Sequence, residues 1–256
     1  MYDYETFAYL DVQKTGSSFI ARLLQTFSSE TLVASRRHGR IGQPEDGKFY
    51  FISCRDPLDQ LLSLYFFGCS GSGHIHARLE ETSLTDFYDG TAGGFDAFLR
   101  FVLDPANAAV FGEDYAESGI APIAGLMTFR FAALAIPRAV KRLARCENRG
   151  DLVRVYGRWN MAEEIVRTER LNEMMRDLIR GPLRQRLRDP EAALAWIDSA
   201  SRVNASRRRD SDNGFVVSDA AKRLVEEREW FLFEVLGYPR YLPPAPKGGL
   251  GALFRR

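Results

Sequence analysis

Apolar residues fill Phe7-Ala8-Tyr9-Leu10-Asp11-Val12 almost without a break, and this short, β-prone run predicts a strand. The next residues, Gln13-Lys14-Thr15-Gly16-Ser17-Ser18, are polar and contain a glycine, so the chain turns there. From Ser18 onward Phe19, Ile20, Leu23, Leu24 and Phe27 recur at helical spacing, which predicts a helix with Ser17 or Ser18 at its N-terminus. A second apolar run, Phe49-Tyr50-Phe51-Ile52-Ser53-Cys54, is bounded by Arg55-Asp56-Pro57. It reads as a buried parallel strand followed by a helix that presents Leu58, Leu61, Leu62 and Tyr65 on one face.

Between these units a strand is predicted at 31–33, followed by a basic loop, Ala34-Ser35-Arg36-Arg37-His38-Gly39-Arg40. Glycine-rich breaks at 68–73 and 89–94 predict loops, and 105–122 has little periodicity. Further helices are predicted at 138–145, 171–179, 190–199 and 218–236, with a strand at 164–168. No repeat and no linker divides the chain, so 1–242 is expected to form one domain, with 243–256, rich in Pro and Gly, as a loosely ordered tail. The architecture this implies is α/β: a three-layer sandwich with a short parallel sheet and a strand-loop-helix unit that carries anion loops at the strand C-termini. Helices of the second half then build an acceptor cleft and a lid.

Composition narrows the function classes. With 256 residues, 45% of them hydrophobic, the chain can bury a full core. The 35 Lys+Arg nearly cancel the 34 Asp+Glu, so no global field attracts nucleic acid or an acidic membrane, and any anion site must be local. No apolar run nears the roughly 20 residues of a membrane span, and the first residues carry no signal-peptide pattern, so a cytoplasmic protein is expected. Cys54, Cys69 and Cys146 lack paired spacing, which points to reduced thiols rather than disulfides or zinc.

A strand, a Gly/Ser turn and a helix N-terminus together aim backbone N–H groups and the positive end of the helix dipole at one point, which suits a phosphate or sulfate. Lys14 adds a charge there, although a lysine in a polar turn is equally a solvated surface residue. The Walker A spacing GxxxxGK(S/T) is absent, because Lys14 precedes Gly16 and no glycine stands before it. Arg55 ends a strand and Ser63 lies eight residues on, so guanidinium and hydroxyl can hold one phosphate between them. The alternative is a helix capped by Asp56, with Pro57 at its first position and Arg55 merely paired to a carboxylate.

Taken together, these pieces resemble a known family. Lys14-Thr15-Gly16-Ser17-Ser18 is similar to the 5′-phosphosulfate loop of sulfotransferases that use 3′-phosphoadenosine 5′-phosphosulfate (PAPS). The run from Arg55-Asp56-Pro57 through Ser63 to Tyr65 is similar to their 3′-phosphate signature, RDPxxxxxSxY. The carbohydrate sulfotransferases of the heparan sulfate 2-O-sulfotransferase type carry a His-Gly-His segment before that motif, where this chain has His38-Gly39-Arg40. Thr168-Glu169-Arg170-Leu171, Val203-Asn204-Ala205-Ser206 and Leu236-Gly237-Tyr238 also look like segments of the family.

The resemblance implies sulfuryl transfer from PAPS to an acceptor hydroxyl, with a saccharide favoured as acceptor and no metal. It implies a donor site at Lys14, Thr15, Gly16, Ser17, Ser18, Arg55 and Ser63, with Arg207, Arg208 and Arg209 closing over the nucleotide unless that basic run is a solvated face. Such a transfer needs an in-line acceptor, charge stabilisation at the bridging oxygen, for which Lys14 is suited, and a base. Only His38, His74 and His76 have imidazoles. His38 is preferred because its loop lies between the donor motifs, and a cation at Arg40 would keep it neutral. His74 and His76 follow a glycine-rich loop, and as a pair they also resemble a metal half-site without further ligands. Trp159, Trp196 and Trp230 are better read as core than as sugar platforms. The rival readings are a nucleotide-dependent phosphotransferase, and a nucleotide-binding protein without turnover.

Overall fold

In the computed structural model residues 1–81, 83–200 and 215–243 are described. Among these, five strands form one mixed sheet: β1 (Tyr2–Tyr4), β2 (Phe7–Leu10), β3 (Leu32–Ser35), β4 (Phe49–Cys54) and β5 (Glu164–Arg167), in the order β3-β1-β2-β4-β5. Only β2, β4 and β5 run parallel, whereas β1 pairs antiparallel with both β2 and β3. The parallel sheet expected from the sequence is therefore one side of a mixed one, running from β2 to the β5 edge. β1 was not foreseen, and the strand expected at 31–33 begins one residue later as a largely exposed edge.

β2 and β4 are buried at every position, because both faces of the sheet are covered. Successive side chains point to opposite faces, so each strand feeds two cores. Phe7, Tyr9, Phe49 and Phe51 pack against α1 (Ser17–Phe27), and Ala8, Leu10, Tyr50 and Ile52 pack against α2 (Pro57–Cys69). The second core also takes α3 (His74–Glu80), α4 (Ala92–Leu103), α5 (Ala108–Phe111), α6 (Leu126–Ala135), α7 (Ala139–Leu143) and α8 (Arg149–Trp159). Helices α9 (Leu171–Arg180) and α10 (Pro190–Ala200) join the core of α1, while α11 (Asp219–Arg228) and α12 (Trp230–Glu234) join that of α2.

α4 begins inside a segment whose glycines predicted a loop. Thr91 caps it by accepting from the Gly94 N–H at 3.0 Å, and Phe95, Phe98, Leu99 and Val102 bury its apolar face. A Cβ at Gly94 would lie 2.6 Å from the Tyr65 hydroxyl and closer still to Asp89, so this glycine permits close approach rather than flexibility. The single helix expected over 218–236 is two, because Glu229 leaves helical geometry between α11 and α12. Its fully buried carboxylate accepts from the backbone N–H of Met127 at 3.0 Å and of Thr128 at 2.8 Å, supplying the acceptors that the start of α6 lacks. All ten residues of α6 are buried.

The three cysteines are free, with Cys54 and Cys146 buried. Among the described residues no helix is long and apolar enough to cross a membrane. The loosely ordered tail expected at 243–256 lies outside the described residues from 244 onward.

Candidate functional site

A cavity of about 1100 Å³ opens where β2, β4 and β5 end, and it brings together the loop after β2, the first turns of α1 and α2, and the start of α9. Lys14, Gly16, Ser17, Ser18, His38, Arg55 and Ser63 all line it. Among the described residues six Lys and Arg line it against the two carboxylates of Glu169 and Glu173, so a chain of nearly neutral overall charge concentrates cations here.

The loop from β2 to α1 turns through two left-handed residues, Lys14 at φ 63° and Gly16 at φ 79°. Gly16 is the N-cap of α1, and glycine offers no side chain to bond the free N–H groups of the first turn, so these remain available to an external acceptor. A Cβ at Gly16 would meet Leu171 Cδ2 at 3.0 Å, a second reason for glycine. Lys14 is half-buried, and its Nζ lies 4.0 Å from the centroid of the Phe67 ring. Burial, reinforced by the charges of Arg55 and Arg37, holds its pKa below the ordinary lysine value.

Thr15 behaves differently from its neighbours. Its side chain is fully buried beneath the loop, where Oγ1 donates to the Val12 carbonyl at 2.7 Å and shares a 2.6 Å hydrogen bond with Ser53 Oγ. Ser53 in turn bonds the Tyr9 hydroxyl at 2.7 Å. The Thr15 side chain thus anchors the loop to β4 and does not line the cavity.

On the β4 side both readings of Arg55 coexist. Asp56 caps α2 by accepting from Asp59 N–H at 3.0 Å, and Pro57 occupies the first helical position. Arg55 nevertheless lines the cavity, and its two contacts are long: Nη1 to the Lys14 carbonyl at 3.4 Å and Nη2 to Asp59 at 3.7 Å. Ser63 faces the same space from the second turn of α2. Gln60, one turn earlier, donates to the Gln13 carbonyl at 2.7 Å and locks α2 to the Lys14 loop.

His38 sits in left-handed backbone geometry, φ 54°, held by the buried Asp11. The Asp11 carboxylate accepts from the His38 N–H at 2.9 Å, and the Asp11 carbonyl lies 2.7 Å from His38 Nδ1. A carbonyl oxygen only accepts, so Nδ1 carries the hydrogen and the neutral ring keeps its lone pair on Nε2. Burial lowers the imidazole pKa below its ordinary value, and Arg37 and Arg130 add to this against the pull of Asp11. The cation expected to do so, Arg40, is engaged elsewhere: it pairs with Asp114 at 2.7 Å and stacks over Phe129.

His74 also lines the cavity, whereas His76 packs its ring on Tyr88 at 5.4 Å and lies 3.9 Å from Glu80. Among the described residues no group of three or more His, Cys, Asp or Glu side chains is gathered as metal ligands. Trp230 is core and Trp196 packs on Phe19, while Trp159 is 38% exposed between Arg142 and Arg158.

Glu169 braces the α2 side of the site. Its carboxylate accepts from the Asp56 N–H at 2.7 Å and from the Tyr238 hydroxyl at 3.3 Å, while Thr168 Oγ1 donates to the Cys54 carbonyl at 2.9 Å. Val203 to Ser206 and Arg207, Arg208 and Arg209 lie outside the described residues. Sequence reasoning missed Arg130, which α6 carries to the cavity wall, and Asp11, which orients His38. No family model matches the chain, and no curated protein or solved structure matches it either.

Proposed function

We propose that this chain transfers a sulfuryl group from PAPS to the hydroxyl of an acceptor, with a saccharide as the favoured class, on a three-layer α/β sandwich of the sulfotransferase type. The observation that carries the reading is convergence. Residues drawn from three separate segments, the Lys14 loop, the Arg55–Ser63 pair and His38, face one cavity.

The cavity suits the donor in size and charge. Its volume of about 1100 Å³ exceeds that of many small-ligand sites, as a nucleotide and an acceptor together require. Arg55 and Ser63 are suited to the 3′-phosphate, and the first turn of α1 with Lys14 to the 5′ side. Bound there, the donor supplies the sulfuryl group and a bisphosphate leaving group.

The side chains then divide the work. Lys14 offers a charge to the bridging oxygen as negative charge builds there. Nε2 of His38 takes the acceptor proton, while Nδ1–H stays on the Asp11 carbonyl and the adjacent Asp11 carboxylate, 3.4 Å from Nδ1, steadies the imidazolium. Thr15 holds the loop from below.

Two measurements test this reading. Calorimetry should find adenosine 3′,5′-bisphosphate bound in preference to ATP, and labelled PAPS should deliver sulfate to one of a panel of hydroxylated acceptors. Preference for ATP would favour a phosphotransferase, and binding of the bisphosphate without turnover on any acceptor would favour a non-catalytic nucleotide-binding protein.

A further inference from the structure

Arg130 is the only charged residue between Ile120 and Ile136, and it lies on a wholly buried helix. It is 4% exposed, yet it lines the cavity. Glu113 takes one edge of its guanidinium, accepting from Nε at 3.0 Å and from Nη2 at 2.7 Å. Nη1 is buried and has no hydrogen-bond partner among the described residues. A buried guanidinium N–H left without an acceptor is costly, and in a cavity wall it marks a place for a ligand oxygen.

The Glu113 side of the pair is held firmly. Glu113 and Asp114 both lie in the left-handed region, φ 60° and 62°, and Arg40 bonds the Glu113 carbonyl and the Asp114 carboxylate. Two non-glycine residues in that conformation need such restraint, and the restraint keeps the carboxylate along one edge of Arg130. Glu113 neutralises much of the arginine charge, and against the upward push of burial Arg130 holds its carboxyl below the ordinary range. What Arg130 still offers is directional: one N–H₂ group at a fixed position.

Arg130 is close enough to His38 for its charge to act on the imidazole. Its partner Glu113 also accepts a long hydrogen bond, 3.4 Å, from Gln13 beside Lys14. Arg130 therefore stands in the half of the cavity that holds the base, with its partner reaching the donor loop. We propose that Arg130 selects the acceptor, taking through Nη1 an oxyanion, a carboxylate or a sulfate ester, that the acceptor carries near the hydroxyl presented to His38. This proposal rests on the sulfuryl-transfer reading for the naming of the two halves.

Three matched probes test it: methyl glucoside, methyl glucuronide and methyl glucoside 6-sulfate, titrated by ligand-observed NMR into the full chain and its Arg130→Gln variant, with and without adenosine 3′,5′-bisphosphate. We expect the wild type to bind one or both charged glycosides about tenfold or more tightly than the neutral one, and the variant to lose that preference while binding the bisphosphate as before. The two charged arms tell carboxylate from sulfate ester. If Arg130→Gln fails to fold, because Glu113 is left alone, the pair Arg130→Gln with Glu113→Gln replaces the buried ion pair by two amides, and the same loss is expected. A wild type without preference for charge, a variant that keeps the preference, or a loss confined to bisphosphate binding overturns the proposal. Failure of the wild type to bind the bisphosphate would sink the sulfuryl-transfer reading instead, and the nucleotide-free titrations would still decide whether Arg130 selects an anion.

Discussion

The backbone carbonyl of Asp11 lies 2.7 Å from Nδ1 of His38, and the same residue's carboxylate accepts the His38 backbone N–H at 2.9 Å. One buried residue thus fixes both the ring tautomer and the left-handed turn that carries it. If Nε2 is the base, His38→Ala should lose roughly 10²–10⁴ in turnover with PAPS binding retained. A change in acceptor KM alone would reassign His38 to acceptor binding, and a large loss confined to His74→Ala would move the base to the other imidazole on the cavity wall.

The pH profile follows from the directions of two shifts. A base must be neutral, so turnover should rise with pH through the pKa of His38, which burial and the neighbouring arginines place below 6.5. Lys14 must be charged, so turnover should fall again as pH passes its pKa, which lies below 10.5. The plateau is therefore displaced to the acid side at both ends. An acid limb with its midpoint above the ordinary histidine value would show that another group is titrating.

For Arg55 the expectation concerns discrimination. Arg55→Ala should weaken adenosine 3′,5′-bisphosphate by about 1.5–3 kcal/mol and leave adenosine 5′-phosphate nearly unchanged. Its present contacts, at 3.4 and 3.7 Å, are long enough to yield to a phosphate. Calorimetry that finds both nucleotides weakened equally would make Arg55 a strut for the Lys14 loop.

Lys14 allows a cleaner separation of charge from backbone. At φ 63° a non-glycine residue carries strain of about 1–2 kcal/mol, which glycine relieves. Lys14→Gly should therefore fold at least as well as the wild type while losing turnover by a larger factor than donor affinity, because the ammonium matters most as charge builds on the bridging oxygen. Normal turnover in Lys14→Gly would remove the ammonium from the mechanism.

What was legible in the sequence was local. β4 spans the run from Phe49 to Cys54 that its largely apolar character predicted, and Phe19, Ile20, Leu23 and Leu24 are buried as their spacing required. The Lys14 loop and Arg55 could be read because a polar turn after an apolar strand is itself a local pattern. α6 could not, since a helix buried all round has no polar face and hence no period. β1 is three residues long and gains its place only by pairing with β2 and β3. Arg130 had one visible signal, a lone charge in an apolar stretch, but only the packing of α6 against α2 and β4 brings it beside His38. Asp11 interrupts an apolar run in the same way, and its role was equally hidden. α8 was missed although Asn148 and Asp151 form a capping box that the sequence does display.

The placement of Arg130 depends on Glu229, which gives the last prediction. The Glu229 carboxylate accepts two backbone N–H groups at the start of α6 and the Thr128 hydroxyl at 2.7 Å, all in a fully buried setting. Burial raises its pKa against the pull of those three donors and the nearby Arg228, so charging the carboxyl in the folded state carries a net cost. Glu229→Ala would strand the donors in the core at about 1–3 kcal/mol each, enough to consume much of a domain's stability. Glu229→Gln keeps one carbonyl oxygen and no charge, and should cost less. Denaturant melts should therefore rank wild type above Glu229→Gln above Glu229→Ala. The raised pKa also sets the sign with pH: the penalty for charging Glu229 is absent below the unfolded carboxyl pKa and is felt as pH rises through the folded one. The wild type's lead over Glu229→Gln should accordingly shrink from acid to neutral pH. A lead that widens instead would mean that the donors outweigh burial and hold the folded carboxylate below its ordinary pKa.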